Sequence, residues 1–280
     1  MSDHVLALAP NASGQSANRV RLLHLVAWVL FAGVVLRFAV IWSNALLGTS
    51  WPTLGRVGFC LLFGGFSLAH ASSLFGWRRA VLFLAIGGAV GWCFEEVGIH
   101  TGLVYGPYHY GDALGIKLDV VPAIIPIAWF MMLYASWTVA GLLLGRAGDP
   151  VPLSYAAARA VVAAMAMTAW DAVLDPGMAR DGVWVWDQGG AYFGVPLRNF
   201  VGWLATTVTI YAIVELVFRR GGADARAAVP RLYAGLPALA YTVLATDRLL
   251  LPDLPELRIC AAFGMCFIAL LAVLRIRFAD

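Results

Sequence analysis

The sequence predicts an all-α polytopic membrane protein of about eight transmembrane helices, arranged around a parallel internal repeat with short, hairpin-like outer loops. Three observations carry this. Hydrophobic residues make up 61% of the chain and charged residues 12%, against about 25% charged in a soluble domain. Apolar runs of about 20 residues, long enough to cross a bilayer, recur along it. The chain also states one pattern twice. Glu95, Gly106, Tyr108 and Tyr110 return as Asp171, Gly182, Trp184 and Trp186 at a constant offset of 76, and Val121, Pro122 and Trp129 return as Val195, Pro196 and Trp203 at an offset of 74. A repeat of this kind means two copies of one structural unit.

The spans fall at roughly 22–42, 57–76, 80–99, 120–145, 154–174, 197–218, 231–247 and 257–276. The seventh is the weakest, being short and interrupted by Gly235 and Pro237. One membrane domain covers 1–280, with a flexible cytoplasmic tail over 1–20 and repeat units at 90–135 and 166–209. Arginines gather on one side of this arrangement: Arg19 and Arg21, Arg78 and Arg79, Arg219 and Arg220, Arg275 and Arg277. By the positive-inside rule that side is cytoplasmic. The expectation is a multi-pass protein of the inner (cytoplasmic) membrane with both termini inside. Spans three and five then run outward, and their loops, 100–119 and 175–196, lie together on the outer side. The loops alternate aromatic or β-branched residues with others, as short strands do. Each is expected to fold back as a turn or hairpin. Cys60, Cys93, Cys260 and Cys266 lie in apolar stretches without CxxC spacing, which predicts buried free thiols.

Both copies set a carboxylate where an apolar helix meets an aromatic, Gly-rich loop. Ionisable groups at membrane depth are costly, which makes them candidates for function. Glu95 and Glu96 are adjacent and point about 100° apart on a helix. Asp175 lies one turn after Asp171 and His100 one turn after Glu96, each on its predecessor's face. A carboxyl in a dry pocket beside another carboxylate can act as a proton donor at neutral pH. Ringed by Trp and Tyr faces, such a site could hold a carbocation. These acids and His100 could also hold a divalent metal through oxygen and imidazole, but no metal or other cofactor is expected. Five histidines, with His4, His24 and His70 remote in sequence from the acids, are too few for a membrane oxygenase. No GxSxG, HExxH or P-loop is present, and no basic stripe with interleaved aromatics points to nucleic acid.

At these residues the chain resembles a known family. Glu95-Glu-Val-Gly-Ile-His-Thr-Gly102, Tyr105-Gly-Pro-Tyr-His-Tyr-Gly111, Val121-Pro122 and Pro126-Ile-Ala-Trp-Phe-Met-Met132 are similar to the first signature of a membrane carotenoid-biosynthesis family. Thr168-Ala-Trp-Asp-Ala-Val-Leu-Asp-Pro176, Trp184, Trp186, Tyr192-Phe-Gly-Val-Pro196 and Asn199-Phe-Val-Gly-Trp203 resemble the second. The family includes γ-carotene and lycopene hydratases and the bisanhydrobacterioruberin hydratase, and the likeness covers roughly 90–205. It implies a hydro-lyase that adds water to the terminal double bond of an acyclic ψ end. The substrate would be an acyclic or monocyclic carotenoid such as lycopene or γ-carotene, taken from the lipid bilayer, and no redox cofactor is needed. The expected catalytic set is Asp171 as donor and Glu95 as its partner, with the reverse assignment open, and Asp175 and Glu96 beside them. Tyr108, Tyr110, Trp129, Trp170, Trp184, Trp186, His100 and Asn199 are the expected substrate-binding residues. Two rivals share parts of this pattern: an acid-initiated carotenoid cyclase, and a transporter with intramembrane acids.

Overall fold

The computed structural model describes residues 14–145, 151–218 and 229–278, and they form an all-α membrane bundle. The helices are α1 (Gly14–Leu47), α2 (Arg56–Phe75), α3 (Trp77–Thr101), α4 (Ile125–Leu144), α5 (Leu153–Arg180), α6 (Leu197–Phe218), α7 (Arg231–Ala234) and α8 (Leu236–Leu250). The last span starts as α9 (Leu257–Cys260), loosens through a π-helical stretch over Ala261–Cys266 and resumes as α10 (Phe267–Phe278). Among the described residues, seven helical stretches are long and apolar enough to cross a membrane. The seventh expected span, 231–247, is a helix broken at Gly235. Its longer part has 15 residues, about 22 Å at the α-helical rise against a hydrocarbon core of about 30 Å. The tail expected over 1–20 overlaps α1 from Gly14 onward, and its first 13 residues lie outside the described set.

α4 is apolar on every side, as a central helix must be. It packs against α2, α3, α5, α8 and α10. It starts at Ile125 rather than at 120, because Val121–Pro122 (β3) pairs with Lys117–Leu118 (β2) in a tight turn. A Cβ at Gly91 would lie 2.8 Å from the Trp129 ring. The bare backbone there lets α4 press that indole onto α3.

The two copies meet in one short ladder. β1 (Tyr108–Tyr110) pairs antiparallel with β4 (Trp184–Trp186), with Tyr108 opposite Trp186, His109 opposite Val185 and Tyr110 opposite Trp184. His109 and Val185 are repeat equivalents, so the register is its own image under the repeat. The flanking bonds obey the same symmetry: Gly111 N donates to Val183 O at 2.9 Å, and Asp187 N donates to Pro107 O at 3.0 Å. Trp129 and Trp203, also equivalents, stack with centroids 4.4 Å apart. Each copy then closes its loop with the same turn. Leu118 pairs with Val121 and Tyr192 with Val195, around the left-handed residues Asp119 (φ 55°) and Phe193 (φ 49°). The expectation that each loop forms a hairpin of its own holds for these turns. The aromatic strands pair across the two loops instead.

Candidate active site

α3 ends at Gly102, whose left-handed backbone turns the chain back over the bundle. This return brings β1 over the last turns of α3. Tyr108 Oη and Tyr110 Oη both donate to Glu95 Oε2, the latter at 2.9 Å, and Trp129 Nε1 donates to Glu95 Oε1 at 3.2 Å. Burial, and after it the neighbouring Glu95 charge, pushes the Tyr108 and Tyr110 phenols well above their usual range. Both therefore stay protonated as donors to the carboxylate.

Across the ladder, α5 carries Asp171 and Asp175, one turn apart and both buried. Asn199, at the start of α6, spans them: its Nδ2 donates to Asp175 Oδ2 at 2.5 Å and to Asp171 Oδ2 at 3.1 Å. Asp171 Oδ1 has no hydrogen-bond partner among the described residues. Pro176 lies inside this helix. Its missing N–H frees the carbonyl of Ala172, and Tyr192 Oη donates to that carbonyl at 3.0 Å. The acids thus stay on a continuous helix although a proline follows them directly.

A cavity of about 150 Å³ lies between the two copies. Glu95 and Asp175 both line it, among Tyr108, Tyr110, Trp129, Trp170, Trp184, Trp186, Trp203 and Asn199. Asp171 does not; it sits one turn behind Asp175. Asp171, expected from sequence as the donor partnering Glu95, is thus not among the lining residues. The repeat equivalence is real, but the extra turn contributed by Asp175 carries the second acid into the space. Glu96 and His100 are also off the cavity. Their shared helix face turns toward the β2–β3 turn, where His100 Nε2 lies 3.4 Å from Glu96 Oε2 and 3.0 Å from Asp119 Oδ2. These three side chains bring a ligand atom each within 4.8 Å of one another, a set that could hold a metal.

Residues not singled out in the sequence complete the lining. Arg37, Arg56, Asp247 and Arg248 give the cavity a charged rim. Trp42 Nε1 donates to Asp247 Oδ1 at 3.0 Å, and Arg56 pairs with Asp181 at 2.5 Å. Arg37 and Asp247 are ionisable groups inside apolar runs, a signal that was available. The same signal marks Arg159 and Glu215, a buried bidentate pair (2.6 and 2.7 Å) joining α5 to α6 away from the cavity. The four cysteines are free, but only Cys60 is buried; Cys93 is exposed, so the expectation of buried thiols fails there.

The family model for carotenoid biosynthesis proteins matches residues 55–271. The chain is 31% identical over 146 residues to a bisanhydrobacterioruberin hydratase of Haloarcula japonica, covering 52% of this chain and 48% of the relative. It therefore spans about half the length of the curated relative it matches. No solved structure matches.

Proposed function

Because this chain belongs to the carotenoid biosynthesis protein family, we propose that it is a carotenoid hydratase of the 1,2-hydratase type. Its reaction adds water to the terminal double bond of an acyclic ψ end. The observation that carries this reading is the cavity in which Glu95 and Asp175 face one aromatic-walled space. Likeness to a chain named as a hydratase supports hydration over cyclisation. The volume suits an end group rather than a whole polyene, since pockets for drug-sized ligands measure about 300–1,000 Å³. The rest of the carotenoid would remain in the bilayer.

In the proposed reaction, the paired carboxyls Asp171 and Asp175 carry one proton between them, because two adjacent carboxylates resist ionising together. Asp175 delivers it to the less substituted carbon of the double bond, and the tertiary carbon becomes cationic. Trp170, Trp184, Trp186 and Tyr108 line the space and offer ring faces to that charge. Water attacks the cation while Glu95, its position fixed by three donors, takes a proton from the water. The product is a tertiary alcohol. Return of one proton from Glu95 to the aspartate pair, through a water or the new hydroxyl, completes the cycle. This moves the donor assigned from sequence by one helical turn, from Asp171 to Asp175, and keeps Asp171 as the group that shares its proton. In the bilayer, the β1–β4 side is placed outward and the arginine-rich ends of the spans inward.

Expression in a lycopene-producing host tests the reading. A hydratase yields products heavier than lycopene by one or two waters. A product isomeric with lycopene identifies a cyclase, and unchanged lycopene with the protein present in the membrane removes that substrate.

A further inference from the structure

Glu96, His100 and Asp119 form a second constellation, separate from the cavity. Glu96 and His100 share one face of α3, one turn apart, and Asp119 reaches them from the β2–β3 turn. His100 Nε2 faces both acids, at 3.0 Å from Asp119 Oδ2 and 3.4 Å from Glu96 Oε2. Glu96 is 9% exposed, and its Oε1 is buried with no hydrogen-bond partner among the described residues. A buried carboxylate oxygen with no donor is costly unless something positive meets it.

The repeat supplies a further argument. The equivalents of Glu96, His100 and Asp119 in the second copy are Ala172, Pro176 and Phe193. Phe193 adopts nearly the same left-handed backbone as Asp119, at φ 49° against 55°. The turn therefore forms without an acid, and the helix end without an imidazole. Nothing in the architecture requires the three polar groups, yet one copy places all three ligand atoms within 4.8 Å of one another.

We propose that Glu96, His100 and Asp119 bind a divalent transition-metal cation at the outer end of α3. Two carboxylate oxygens and one imidazole nitrogen suit Zn²⁺, Mn²⁺ or Fe²⁺ better than Ca²⁺ or Mg²⁺, which favour oxygen alone. His100 and Asp119 are exposed, which leaves a route for the ion and room for water to fill its coordination. The bound cation meets the buried Glu96 carboxylate and pins the β2–β3 turn to α3, next to Glu95. The site stands whether or not the cavity hydrates carotenoids.

The test uses the full chain, purified in detergent and stripped with a chelator, then titrated with Mn²⁺ and followed by electron paramagnetic resonance. One Mn²⁺ per chain at micromolar concentration, displaced by Zn²⁺, is expected. His100→Ala and Asp119→Asn should each weaken binding by at least about tenfold, the lower bound for disturbing even an outer-shell partner of a metal site. His109→Ala should bind as the parent does, since among the described residues His109 pairs with Asp187, outside this cluster. Zn²⁺ should raise the melting temperature of the parent and not of His100→Ala. Absence of Mn²⁺ binding at millimolar concentration, or binding indifferent to both substitutions, would overturn the proposal and leave a plain His–carboxylate ion pair.

Discussion

Glu95 accepts hydrogen bonds from side chains on two separate segments, Tyr108 and Tyr110 on β1 and Trp129 on α4. Removing its charge in Glu95→Gln should slow turnover by about 10²–10⁴-fold, the usual worth of a positioned acid or base, with membrane insertion unchanged. Tyr110→Phe removes one hydrogen bond to a charged group, about 1.5–3 kcal/mol, so a loss of roughly tenfold to a hundredfold is expected. Asp175→Asn should be as damaging as Glu95→Gln. Asp171→Asn should lower kcat less and leave KM unchanged, because Asp171 acts through Asp175. An active Asp175→Asn beside a dead Asp171→Asn would restore the assignment expected from sequence. That assignment was only partly legible. The four-residue spacing puts both aspartates on one face, but which of them lines the cavity is set by the packing of α5 against α4, α6 and β4.

At the scale of elements, α5 keeps its geometry through a proline because Tyr192 replaces the missing donor at Ala172 O. Tyr192→Phe should destabilise the protein by about 1 kcal/mol, the cost of losing the donor to a part-buried carbonyl. In a Pro176→Ala background the restored N–H serves that carbonyl, and the same Tyr192→Phe change should cost much less. A double-mutant cycle by thermal or denaturant unfolding in detergent measures the difference; equal costs in both backgrounds would refute the account. Glu215→Ala should be worse, by about 3–5 kcal/mol, because it strands the buried Arg159 guanidinium. The helices themselves were readable from the apolar runs. The β1–β4 pairing was not: local alternation marks a strand, but its partner here lies 78 residues away at the far register, Tyr108 to Trp186.

At the scale of the molecule, the repeat does two things. It builds a near-symmetric frame, seen in the self-equivalent ladder and the Trp129–Trp203 stack. It then breaks the symmetry where chemistry is proposed. Asp175 has Ile99 as its counterpart, Glu96 has Ala172, and Asn199 has Ile125. The frame was legible because equal offsets survive in a single sequence. Arg37 and Asp247 stand out as charges in apolar runs, but their meeting with Arg248 at the cavity does not, because α1 and α8 join it only through packing. In the proposed reaction water, and not molecular oxygen or ring closure, captures the cation in this frame. The most direct test is anaerobic incubation of the purified protein with an acyclic carotenoid in oxygen-18 water, read by product mass. The account predicts a tertiary alcohol carrying the heavy oxygen, formed without oxygen gas and lost in Asp175→Asn. A product that forms only with oxygen gas and takes its label from it, or one with the mass of the starting carotenoid, would contradict the account.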